Sequence, residues 1–125
     1  MDITPQIPQG RQIIQRYGGG GFFIAEKRYT GSVLVFLERV LPWPVSRIDE
    51  ISVGDFADIR SASDSVDILL IGCGHEMVRI ADDVRTPLRG DGIIVEPMDT
   101  GAACRTWNVL LSEERRVAAA LIAID

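Results

Sequence analysis

Apolar positions along this chain fall into short bursts separated by turn residues, and the spacing inside each burst predicts an element. Gln12 to Tyr17, carrying Ile13 and Ile14, and Phe22 to Ala25 are two strand-like pieces joined by the glycines Gly18 to Gly21. Arg28 to Phe36 is a third β-prone segment, with Gly31 marking a bulge or a close backbone approach. Leu41-Pro-Trp-Pro44 ends this β-rich half, because proline at two positions blocks continuation of regular structure. Ser52-Val-Gly-Asp55 resembles a capping box and opens a short helix in which Phe56 and Ile59 face inward. Val66 to Ile71 is mostly apolar, as a strand covered on both faces must be. A helix follows over Asp82 to Arg89, with Val84 and Leu88 one turn apart and Pro87 shortening or kinking it. Gly92 to Val95 is a second buried strand. A turn containing Pro97 then enters a helix whose apolar positions Ala103, Trp107, Leu110 and Leu111 share one face, with Thr100 as N-cap. Strand, helix, strand, helix is the signature of a parallel layer. Val117 to Ile124 is too short and too uniformly apolar for periodicity to decide between helix and strand.

The chain has 125 residues, enough for one ordinary domain, and 46% hydrophobic residues support a packed core. Residues 1–10 hold two prolines and no apolar periodicity, so they are expected as a flexible arm, with one domain over 11–125. A net charge of −5 without a basic stripe argues against nucleic acid as a general partner. Arg105, Arg115 and Arg116 still leave room for one anionic ligand. No apolar run approaches the roughly 20 residues of a membrane span, and Met1 to Pro5 has no signal-peptide pattern. A cytoplasmic location is the resulting expectation. Cys73, Cys104 and His75 make no metal-ligand cluster, so neither metal nor cofactor is assigned.

Candidate chemistry sits where two strands end. Gly72-Cys-Gly-His-Glu76 follows the first buried strand, and Met98 to Cys104 follows the second. Between parallel neighbours these loops meet at the sheet edge where ligand crevices form. Gly72 and Gly74 either let backbone approach a ligand or make a tight turn. Thr100, Gly101 and the first-turn N–H groups form a candidate anion site, with Arg105 and Asn108 on the helix side opposite Trp107. The alternative for Arg105 is a brace to Asp99 or Glu96, and for Asn108 a local cap. Cys73 and Cys104 are expected on the same side of the sheet, either as a reactive pair near His75 or as two packed thiols. Fingerprints for Ser hydrolases, zinc proteases, P-loops and dinucleotide sites are missing, which leaves little ground for an enzyme.

A resemblance becomes specific at Met98 to Leu111 and Glu114 to Ala120. It extends through Tyr17-Gly-Gly, Tyr29 to Val35, Trp43 and Ile68 to Gly74. In these segments the chain resembles the family of mitochondrial respiratory complex I assembly factor 3 and its small bacterial relatives. The resemblance implies an α/β fold in one three-layer domain. Its central sheet would be mixed and mostly parallel, with an N-terminal β-hairpin layer and Val117 to Ile122 as an antiparallel last strand. It also implies a non-enzymatic interaction or assembly factor, with protein partners among membrane or respiratory complex components. Trp43 and Arg105 are then candidate partner anchors. The alternative is a small-ligand or anion-binding domain using the Gly72–Gly74 turn and the helix start at Thr100. Two positions depart from the family pattern: Cys73, where Thr or Ser is common, and Glu26, where a turn glycine is common.

Overall fold

Alternation and helical periodicity resolve into two sheets and three helices in the computed structural model, which describes residues 7–125. Strands β1 (Ile14–Gly18), β2 (Gly21–Ile24) and β3 (Lys27–Thr30) form an antiparallel three-stranded sheet. The segment expected as one strand over Arg28 to Phe36 is two. Gly31, at φ 84°, turns the chain out of the small sheet into β4 (Val33–Val35), which pairs with β5 (Val40–Pro42). Next come α1 (Ala57–Ser61), β6 (Ile68–Gly72), α2 (Asp82–Gly90), β7 (Ile94–Met98), α3 (Thr100–Ser112) and β8 (Val117–Leu121). The helix expected at Ser52 starts as a 3-10 turn, Val53–Phe56, in which the Asp55 carboxylate accepts the Ser52 N–H at 2.8 Å.

The large sheet has the order β5-β4-β8-β6-β7. Its residues alternate between two cores. Leu69, Ile71, Ala118 and Ala120 face α1 and α2 together with Phe56, Ile59, Val84 and Leu88. Leu70, Val117, Ala119 and Leu121 face α3 and the small sheet, against Trp107, Phe22 and Ile24. These are the three layers expected: helices, sheet, then a helix beside a β layer. Strand β8 is buried along its whole length, as a central strand must be.

Three expectations about the large sheet need correction. The last strand is antiparallel only to β4; beside β6 it runs parallel, because α3 is a crossover that returns the chain in the direction of β7. The sheet is therefore mixed with two parallel and two antiparallel pairings, not mostly parallel. The turn expected at Pro97 is strand: Pro97 pairs with Ile71 in β7, which tolerates proline because it is an edge. Of the arm expected over 1–10, residues 1–6 lie outside the described residues, and Ile7 packs half-buried against the α3-side core.

Candidate functional site

The loops after β6 and β7 do meet, and they close on each other. In a sheet whose connections leave β6 and β7 toward opposite faces, the carboxyl ends of these strands are where a ligand crevice would open. Here the Cys73 N–H donates to the Met98 carbonyl at 2.8 Å, and the Thr100 N–H to the Gly74 carbonyl at 2.8 Å. Thr100 is wholly buried. Its Oγ1 accepts the Gly74 N–H at 3.0 Å and donates to the Ile122 carbonyl at 2.7 Å, joining three segments through one hydroxyl. A Cβ on Gly72 would come within 3.1 Å of the Thr100 Cα and 3.0 Å of Leu121, so this glycine serves close packing of α3 on β6.

Thr100 is not the N-cap. Asp99 holds that position with extended backbone and accepts the Ala102 N–H at 2.8 Å, while the Ala103 N–H bonds the Asp99 carbonyl. Both residues have capping chemistry, and backbone conformation rather than residue type selects Asp99. Three first-turn donors, on Thr100, Ala102 and Ala103, are thereby engaged within the protein.

Arg105 and Asn108 project from α3 toward β1. The Asn108 amide mimics a neighbouring strand: its Oδ1 accepts the Ile14 N–H at 3.0 Å and its Nδ2 donates to the Ile14 carbonyl at 2.8 Å. The Trp107 indole N–H donates to the Gln12 carbonyl at 2.8 Å just before β1. Arg105 is exposed, and its Nη1 donates to the Tyr17 hydroxyl at 3.1 Å. It braces neither Asp99 nor Glu96 among the described residues.

Tyr17, marked in the sequence only within the resemblance segment Tyr17-Gly-Gly, and Arg16, which the sequence did not single out, complete this region. A bulge at Gln15 breaks the alternation of β1, so Ile14 opposite Ile24 and Tyr17 opposite Phe22 lie on the same face despite their odd spacing, Ile14 buried and Tyr17 exposed. Tyr17 then lies over the first turn of α3, where Gly101 makes room: a Cβ there would stand 2.6 Å from the phenol oxygen. Arg16, opposite Phe23, carries its guanidinium 4.4 Å from that ring's centroid. A groove of about 400 Å³ runs between β1 and α3, with Ile14 and Cys104 among its lining residues and Arg16, Tyr17, Arg105 and Asn108 as polar neighbours.

The remaining candidates are placed elsewhere. Trp43 is buried against Phe56 and its indole N–H donates to the Asp55 carbonyl at 2.8 Å, so it presents no ring at the surface. Cys73 and Cys104 belong to the cores on opposite faces of the sheet, which corrects the expectation of one side. Burial raises both thiols, Cys104 to about 12, where the nearby Arg105 charge only partly offsets it. His75 is exposed in the loop after β6. Arg116 pairs with Asp67 at 3.3 Å. Among the described residues, no helix is long and apolar enough to cross a membrane, and no group of three or more His, Cys, Asp or Glu could hold a metal ion.

Comparison with known proteins agrees with the resemblance read from the sequence. An uncharacterised protein of Rhodobacter capsulatus is 38% identical over 122 residues, covering 96% of this chain and 93% of its own. NADH dehydrogenase [ubiquinone] 1 alpha subcomplex assembly factor 3 of Xenopus tropicalis is 33% identical over 87% of this chain, which spans only 60% of the frog protein. Among solved structures, a Bartonella henselae protein described as an outer membrane protein is 36% identical, with a TM-score of 0.87 over 96% of this chain and 100% of its own. A Bordetella pertussis protein described as a Mth938-like domain is 25% identical, with a TM-score of 0.80 over 98% and 92%. The family model for proteins of unknown function DUF498/DUF598 matches residues 14–122, from the first strand of the small sheet past the last strand of the large one, and this chain belongs to that family.

Proposed function

We propose that this chain is a non-enzymatic protein-interaction factor that assists the assembly of a membrane or respiratory complex, working from the cytoplasm. The observation that carries this reading is the run of relatives named as assembly factor 3 of NADH dehydrogenase, such as the frog protein, matched over most of this chain. Arg105, Tyr17 and Val109 are exposed on or beside α3 and supply the Arg, Tyr and apolar surface common at partner interfaces. The closed crevice at Thr100 favours this reading over a small ligand held at the helix start. The test is a native-host deletion strain in which membrane NADH dehydrogenase is quantified by in-gel activity, with affinity capture by wild-type chain and by Arg105→Glu. Reduced complex, restored by wild type, together with captured complex subunits lost by Arg105→Glu, supports the proposal. Unchanged complex abundance with no subunit captured refutes it.

A further inference from the structure

Among the side chains that line the groove between β1 and α3, the acceptors are engaged and donors remain. The Asn108 amide is engaged at both ends by Ile14, and Gln15 is engaged at both ends by Glu26, at 2.7 and 2.8 Å. What remains free is the Tyr17 O–H, whose oxygen already accepts from Arg105, and the other N–H groups of Arg105; the Arg16 guanidinium is held over the Phe23 ring, on the face of β1 opposite Tyr17. Arg105 forms no ion pair among the described residues. The Asp99 carboxylate, at the start of the same helix, is engaged by the Ala102 N–H. The Arg105 charge and the Tyr17 hydroxyl, side by side in one groove on a chain whose net charge is −5, select an oxyanion of opposite sign.

Its apolar neighbours decide which oxyanion. Val109 lies one turn beyond Arg105 on the same helix face and is 51% exposed, and Tyr17 is 40% exposed. A free phosphate or small acid draws nothing from these surfaces. A peptide carrying an acidic side chain next to an apolar one uses Arg105 and the apolar surface together. We infer that this groove docks an acidic side chain, flanked by an apolar one, from a segment of a protein partner. The inference rests on the assembly reading for the kind of partner; the groove chemistry is measurable without that partner.

The experiment is a nitrogen–proton NMR titration of the full chain with Ac-Glu-Leu-Glu-Leu-NH2, its Gln counterpart, free glutarate and inorganic phosphate. The acidic peptide is expected to move the resonances of Tyr17, Cys104, Arg105 and Asn108. It should bind at least about tenfold more tightly than the Gln peptide or glutarate, and weaken between roughly 50 mM and 500 mM salt. Arg105→Ala should lose about tenfold, and Val109→Ser should weaken the peptide severalfold without touching glutarate. Both positions are exposed, and unchanged spectra elsewhere establish that the variants fold. Equal binding of the Gln peptide overturns the inference, as does glutarate or phosphate matching the peptide, or no shift with any probe at about 10 mM. A groove that prefers carboxylate in a chain that captures no complex removes the assembly reading alone. Capture without carboxylate preference removes this inference alone.

Discussion

Replacing Thr100 with valine keeps the shape of a wholly buried side chain and deletes the hydroxyl that joins α3, the loop after β6 and the end of β8. Two backbone groups lose their partner: the Gly74 N–H and the Ile122 carbonyl. Each unsatisfied buried group costs about 1–3 kcal/mol, and the valine side chain recovers part of this because no hydroxyl is desolvated. The net expectation is a loss of about 3 kcal/mol, a large share of the 5–15 kcal/mol typical of a domain. At about 4 °C per kcal/mol for a chain of this size, Tm falls by about 12 °C. Urea unfolding followed by the fluorescence of buried Trp43 and Trp107 measures this directly. The midpoint should drop by about 1.5 M with an unchanged slope near 2 kcal/mol/M. Thr100→Ser keeps the hydroxyl and removes one methyl, so it should lose only about 1 kcal/mol. Hydrogen exchange at Gly74 should rise in the valine variant and stay close to wild type in the serine variant. If valine proves as stable as serine, the hydroxyl is not what closes the crevice.

Two other measurements address strain and pH. The β2–β3 hairpin turns through Ala25 and Glu26, both at positive φ (47° and 69°), where the neighbouring hairpin uses Gly19 and Gly20. A two-residue turn of this hand prefers Asn-Gly, so Ala25→Asn/Glu26→Gly should raise stability by about 1 kcal/mol in chemical denaturation, despite losing the Gln15–Glu26 side-chain bond; a drop in stability would show that the bond outweighs the strain. Burial lifts the Cys104 thiol from 9.0 to about 12, so the native state favours the neutral thiol more than the unfolded chain does. That contribution is complete below pH 9 and is lost as pH rises toward 12, at up to about 1.4 kcal/mol per unit. Stability curves at several pH values should be steeper in this window for wild type than for Cys104→Ala, and identical slopes would remove the effect. For the same reason, neither thiol should react with a disulfide reagent at pH 8 until the chain unfolds.

Local signals carried the layer pattern. The apolar run at Val66 to Ile71 and the spacing of Ala103, Trp107 and Leu111 identified β6 and α3, and the resemblance resolved Val117 to Ile122 as strand. The discrepancies come from forces that a local window does not contain. Gly31 reads as a bulge or a close backbone approach, and only the partners of β4 show that the chain changes sheets there. Pro97 reads as a turn unless the strand is known to be an edge. In the site, Arg105 and Asn108 were visible as a helix face, but their partners Tyr17 and Ile14 lie about ninety residues away. That Tyr17 shares a face with Ile14 depends on a bulge that alternation alone contradicts. That Gly74 and Thr100 satisfy each other is likewise a property of two loops placed side by side by parallel pairing.

These facts assign the two faces of α3 different duties. Its buried residues, Thr100, Cys104, Trp107 and Leu111, and the half-buried Asn108 fix the helix to both sheets through hydrogen bonds at Gly74, Ile122, Gln12 and Ile14. Its outward residues, Arg105 and Val109, therefore project from a backbone that is held along its length. A docking surface on such an element requires little ordering when a partner arrives, and that entropy term often separates a weak contact from a specific one. By contrast, the crevice at the strand ends has its polar groups already paired, so a ligand entering it would have to break bonds among Cys73, Gly74, Met98 and Thr100 before making its own. That asymmetry is why the proposed docking is set on the open groove beside β1, while the helix start is closed by its own hydrogen bonds.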